Sequence, residues 1–78
     1  MSEQAAIYRY RVVEMARARE QLRAARDLVR QAATLLAELG AFQQLDLKTE
    51  IACTSEASAQ ILHAETNVGF LIARTPLV

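Results

Sequence analysis

The first half of the chain repeats large apolar side chains at a spacing of seven residues. The first row of this repeat is Tyr8, Met15, Leu22, Val29 and Leu36. Three residues further on in each repeat comes a second row, mostly alanine: Arg11, Ala18, Ala25, Ala32 and Leu39. Side chains three and four residues apart lie on one side of a helix. The pattern therefore predicts a long helix with a packing seam made of a large row and an alanine row.

We place the first helix at residues 2–39. Ser2 is its predicted N-cap, and no Gly or Pro occurs before Gly40, which we expect to end the helix in the left-handed conformation. Residues 40–46 form the predicted turn, with Asp46 as the N-cap of the next helix. A helix of this length is typical of a hairpin or bundle rather than of a compact globule.

A second helix is predicted at residues 47–73. One of its rows is Leu47, Ile51, Thr54, Ser58, Ile61, Glu65, Val68 and Ile72. The adjacent row is nearly all small: Ala52, Ser55, Ala59, Leu62, Thr66, Gly69 and Ala73. Small residues beside large ones favour close approach of two helices. Asn67 and Gly69 are a weak point, and the pattern leaves open whether the helix is continuous there.

These elements predict one all-α domain over residues 1–78, folded as a long antiparallel helical hairpin. Apolar residues remain outside the seam, among them Val13, Leu28, Leu35 and Phe70. Exposed apolar surface on this scale promotes aggregation. We therefore predict a homodimer that forms a four-helix bundle, with binding to a larger protein as the alternative.

Composition narrows the choice of partner. The chain has 78 residues, a formal net charge of zero and a pI near 6.6, which argues against non-specific binding of polyanions. Residues 1–40 have a net charge of +2 and residues 41–78 a net charge of −2, which favours antiparallel packing of the two halves. There is one Cys, no signal-peptide core and no long apolar run. We expect a cytoplasmic protein without a membrane partner.

Four arginines of the first helix share one face: Arg19, Arg23, Arg26 and Arg30. They are one hypothesis for a binding site, in which they contact phosphates of a nucleic acid or an acidic partner. The other interpretation is a solvated face whose charges pair with Glu20, Asp27 and acids of the second helix. Because acids alternate with the arginines, we favour the second interpretation.

Two further segments are candidate contacts for a partner protein. Tyr10, between Arg9 and Arg11, has the residue types that are enriched at interface hot spots. The apolar residues near the C-terminus are the other candidate: Phe70, Leu71 and Ile72.

Nothing in the sequence matches the requirements of a catalytic, metal or cofactor site. His63 lacks a second His or a Glu three residues before it, and Cys53 lacks a neighbouring base. There is no Gly-rich phosphate loop. We therefore predict a non-enzymatic interaction module: an adaptor, a small chaperone-like subunit or an inhibitor of a larger protein. The alternatives are a nucleic-acid-binding bundle and a structural subunit of a larger assembly.

Overall fold

In the computed structural model the protein folds into two helices, α1 over Glu3–Phe42 and α2 over Lys48–Arg74. The structure describes residues 3–75, apart from the side chains of Gln4, Ala5, Ala6 and Tyr8. The helices pack together as a hairpin that measures 63 × 14 × 11 Å. The predicted all-α hairpin is confirmed, whereas the predicted N-cap Ser2 lies outside the described residues.

α1 continues three residues beyond its predicted end. Gly40 does not have a positive φ, so the prediction that it ends α1 in the left-handed conformation is wrong. The left-handed residue is Gln44, with φ of 53°. Gly40 has a different role, because a Cβ at this position would lie 3.4 Å from the carbonyl oxygen of Leu45. Its missing side chain lets the turn pass close to the end of α1.

α2 begins with Leu47 at the N-cap position, one residue after the predicted cap. The Asp46 carboxylate nevertheless accepts a hydrogen bond from the Lys48 backbone N–H at 3.3 Å, so it supports the first turn. α2 is continuous through residues 67–69, and the potential break there does not occur.

From Met15 onwards the predicted large row of α1 packs against α2, whereas the side chain of Tyr8 lies outside the described part of the chain. The half-buried members of the row are Met15, Leu22, Val29 and Leu36. The second half-buried row of α1 lies four residues after the first, not three: Val12, Arg19, Arg26, Ala33 and Gly40. On α2 the row that begins at Leu47 and ends at Ile72 is half-buried or buried at every position. The row three residues after the large row and the row four residues after it lie on opposite sides of the large row. Among the described residues, the hairpin packs on the side of the row four residues after it.

The hairpin has no buried apolar core in the part of the chain that the structure describes. Glu65, at 3% exposure, is the only buried residue there. Phe42 is 82% exposed and Leu45 is 52% exposed, so neither side chain is covered at the turn end of the hairpin. Neither α1 nor α2 contains a segment that is long and apolar enough to cross a lipid bilayer.

Candidate protein interaction surface

A charged cluster occupies the most buried position of the hairpin. Glu65 of α2 lies between two arginines of α1, with Oε2 at 3.0 Å from Arg26 Nε and Oε1 at 3.6 Å from Arg23 Nε. The Arg26 Nε–H is not aligned with Oε2, so this contact is an ion pair rather than a directed hydrogen bond. Arg23 also pairs with Glu20 on its own helix at 3.3 Å. The positive charges of Arg23 and Arg26 offset the cost of removing the Glu65 carboxylate from water, which alone is several kcal/mol.

Arg19 packs on the backbone of α2 at Gly69. A Cβ built at position 69 would lie 3.4 Å from Arg19 Cζ, so the glycine leaves room for the guanidinium. Arg19 Nε is buried and has no hydrogen-bond partner. Three of the four arginines predicted as one stripe, Arg19, Arg23 and Arg26, therefore lie against α2. This arrangement supports the interpretation of a charge-paired face, because binding phosphates requires guanidinium groups that are free to reach them.

One side of the hairpin is polar. Arg30 and Thr34 of α1 line a shallow groove together with Ser55 and Ser58 of α2. A groove that these side chains share places them on the same side of the hairpin. We call this side the polar face.

The opposite side of α1 carries a second heptad seam, which we call the outer seam. Its first row consists of four of the five residues of the predicted alanine row, and these four are exposed in the hairpin: Ala18, Ala25, Ala32 and Leu39. Its second row is large and also exposed: Leu28 at 65%, Leu35 at 60% and Phe42 at 82%. The alanine row therefore does not pack within the hairpin. Its role as a packing surface stays a prediction that concerns contacts with another chain.

α2 continues this apolar surface. Ala57, Ala64 and Leu71 repeat every seven residues, and helical spacing places them on the side of α2 away from Ser55 and Ser58. Leu71 is 52% exposed. The outer seam and these three residues of α2 together form what we call the apolar face. The hairpin as a whole is thus amphipathic, with a polar and an apolar face.

The candidate contacts at the open end of the hairpin separate into two groups. Tyr10 is 67% exposed and Phe70 is 55% exposed, so both are accessible to a partner. Ile72 is half-buried in the row of α2 that packs on α1 and is not part of an accessible patch.

The heptad spacing of Leu28, Leu35 and Phe42 was the sequence signal for the second row of the outer seam.

The groups considered for chemistry do not converge. His63 and Cys53 are both exposed. The described residues contain no group of three His, Cys, Asp or Glu side chains placed to hold a metal ion. Comparisons with family models, with curated proteins and with solved structures gave no match.

Proposed function

We propose that the protein is a non-enzymatic helical interaction module and that it assembles as a homodimeric four-helix bundle. The observation that carries this proposal is the exposed apolar face of a hairpin whose one buried residue, among those described, is Glu65. A two-helix ribbon covers only one side of each helix, and stable domains need a second layer. In the bundle, two apolar faces pack together and the polar faces remain in water.

The surface area agrees with this proposal. The accessible surface of the hairpin is 6028 Å². A compact monomer of this mass exposes about 4,700 Å², so the hairpin exposes an excess of about 1,300 Å². A standard protein interface buries about 800 Å² on each partner. Covering one face of the hairpin with a second copy therefore removes an area of the size that stable dimers bury.

Residues away from the apolar face remain available to another protein after dimerisation. Tyr10 and Phe70 are the large exposed side chains that we assign to this role, since aromatic residues are enriched at interface hot spots. Contact through them fits an adaptor, a small chaperone-like subunit or an inhibitor.

The oligomeric state tests the proposal directly. Size-exclusion chromatography with light scattering is expected to give twice the 8.7 kDa chain mass. Thermal unfolding, followed by circular dichroism, is expected to shift to higher temperature as the protein concentration rises. A monomer that unfolds cooperatively at a temperature independent of concentration would overturn the homodimer.

Two exposed leucines on opposite faces make a matched pair of variants. Leu35→Glu places a carboxylate on the apolar face, where dimerisation would bury it without a partner charge. We expect the dissociation constant of the dimer to rise at least about 100-fold, the equivalent of about 3 kcal/mol. Leu62→Glu makes the same change on the polar side of α2 and is expected to leave the dimer intact. Equal effects of the two substitutions would contradict the assignment of the interface.

The alternative functions predict different results. A nucleic-acid-binding bundle gives a gel shift at low salt that is lost when all four arginines of the stripe are replaced by Gln. We expect no shift with the unaltered protein, because Glu65 already pairs with Arg23 and Arg26. A structural subunit of a larger assembly is expected to be insoluble or molten when expressed alone.

A further inference from the structure

We infer that the two chains of the dimer pack in reverse orientation, with the turn of one hairpin beside residues 18–22 of α1 of the other. In this arrangement α1 packs antiparallel on α1 of the partner subunit, and α2 packs on α2. The inference rests on the proposed homodimer and adds the orientation of its subunits, which decides which residues meet across the interface.

The sizes of the side chains along the outer seam favour reverse packing. This seam has a small row and a large row, and in an antiparallel helix pair the residues of one row face the other row of the partner helix. Reverse packing centred on Arg30 matches Ala18 with the partner's Phe42 and Ala25 with the partner's Leu35. It matches Ala32 with the partner's Leu28. Each alanine leaves room for a large side chain, so the two helices can approach to about 8 Å.

The position of Glu50 also favours reverse packing. Ala37 and Gly40 of α1 line a groove with Leu47 and Ile51 of α2, so Glu50 lies near the level of Leu39 at the turn end. Glu50 also continues the heptad row of Ala57, Ala64 and Leu71 on the apolar face. Packing in the same direction would place the two Glu50 carboxylates in one layer of the bundle, where like charges repel. Reverse packing separates them by about 25 Å along the bundle, well beyond the screening length.

The charge near the turn also favours reverse packing. Residues 38–56, at the turn, include four acids and one lysine, whereas residues 17–23 of α1 include three arginines and one glutamate. Reverse packing centred on Arg30 places each acidic turn beside residues 17–23 of the partner, and residues 9–16 extend beyond the partner's turn. Packing in the same direction places like charges together. The complementarity selects one orientation, even where each exposed pair adds little affinity.

Spin-label distances distinguish the two orientations. Arg9 is exposed and lies near the open end, on a side of α1 away from the outer seam. In a Cys53→Ser background, Arg9→Cys is labelled with a nitroxide and the distance between the labels of the two subunits is measured by pulsed electron resonance. Reverse packing predicts about 60 Å, because each label is 21 residues from the centre of the α1 pair. Packing in the same direction predicts about 20 Å, the width of a four-helix bundle.

A second label separates failure of the orientation from failure of the dimer. Gln31→Cys places an exposed label beside the centre of α1, and any four-helix dimer predicts a distance of about 30 Å or less there. A short distance at Gln31 with a long distance at Arg9 supports reverse packing. Short distances at both positions overturn the orientation and leave the dimer standing. No measurable distance at Gln31, together with a monomer mass, overturns the dimer itself.

Discussion

Glu65→Gln tests how much the charged cluster contributes to the hairpin. This substitution keeps the size of the side chain and removes its charge. It leaves Arg19, Arg23 and Arg26 of α1 near one another without the acid of α2. We expect the variant to fold into the same hairpin with a lower free energy of unfolding, because two arginines lose their buried counter-charge.

The magnitude follows from the exposure of the three side chains. The Glu65 side chain is 5% exposed, that of Arg26 is 19% exposed and that of Arg23 is 47% exposed. Removing one member of a fully buried pair costs about 3–5 kcal/mol, and an exposed pair contributes at most about 1 kcal/mol. Because Arg23 can turn towards solvent and Arg26 can do so only in part, we expect about 2 kcal/mol. For a chain of this size, that loss lowers the melting temperature by roughly 8–16 °C.

Urea unfolding followed by circular dichroism, at one fixed protein concentration, measures this loss. Glu56→Gln is the matched control, since Glu56 is exposed on the same helix and contacts only Gln60 among the hydrogen bonds described, at 3.3 Å. We expect the control to remain within about 0.5 kcal/mol of the unaltered protein. A double-mutant cycle of Glu65→Gln with Arg26→Gln is expected to give a coupling of about 1 kcal/mol or more. A Glu65→Gln variant as stable as the control would refute the structural role of the cluster.

Three further substitutions test local features, each by the same unfolding assay. Gly69→Ala is expected to raise the free energy of unfolding by up to about 1 kcal/mol, because alanine favours the helix more than glycine does. The new Cβ would meet only the movable end of Arg19, at 3.4 Å. A lower free energy of unfolding would show that Arg19 cannot shift. Leu36→Ala is expected to cost about 1–2 kcal/mol, less than at a fully buried site, since Leu36 is half-buried; no loss would contradict its place in the seam. Asp46→Ala removes the acceptor of the Lys48 N–H and is expected to cost about 0.5–1 kcal/mol; a neutral result would mean that water replaces this cap.

The large row of α1 and the packing row of α2 were predictable because periodicity alone defines a helix face. Met15, Leu22, Val29 and Leu36 are a heptad apart, and a helix with this spacing has one side to bury. The continuity of α2 was less certain, since Gly69 lowers helix propensity. In the structure the guanidinium of Arg19 lies against Gly69, and that contact depends on the register of the two helices.

The side on which α1 packs was not predictable from hydrophobicity. Ala18 and Arg19 are neighbours in sequence, and apolar character favours the row of Ala18 as the second row of the seam. The hairpin instead buries the row of Arg19 and Arg26, because Glu65 on α2 supplies the opposite charge at that level. Long arginine side chains also cover apolar surface with their methylene groups. The available signal was Glu65, the one charged residue in the packing row of α2, because the other helix carries a stripe of arginines.

The two seams of α1 thus have different chemistry, and this difference separates folding from association. The seam that packs on α2 contains a charged cluster, and charged pairs discriminate among registers because a shifted Glu65 would lose its arginines. The outer seam is made of alanine and large apolar residues, which favour burial and close approach without a charged partner. We therefore expect Glu65→Gln to lower the stability of the hairpin at every protein concentration. We expect Leu35→Glu to raise the protein concentration at which two chains associate. Unfolding of both variants across protein concentrations tests whether α1 packs on α2 with one face and on a second chain with another.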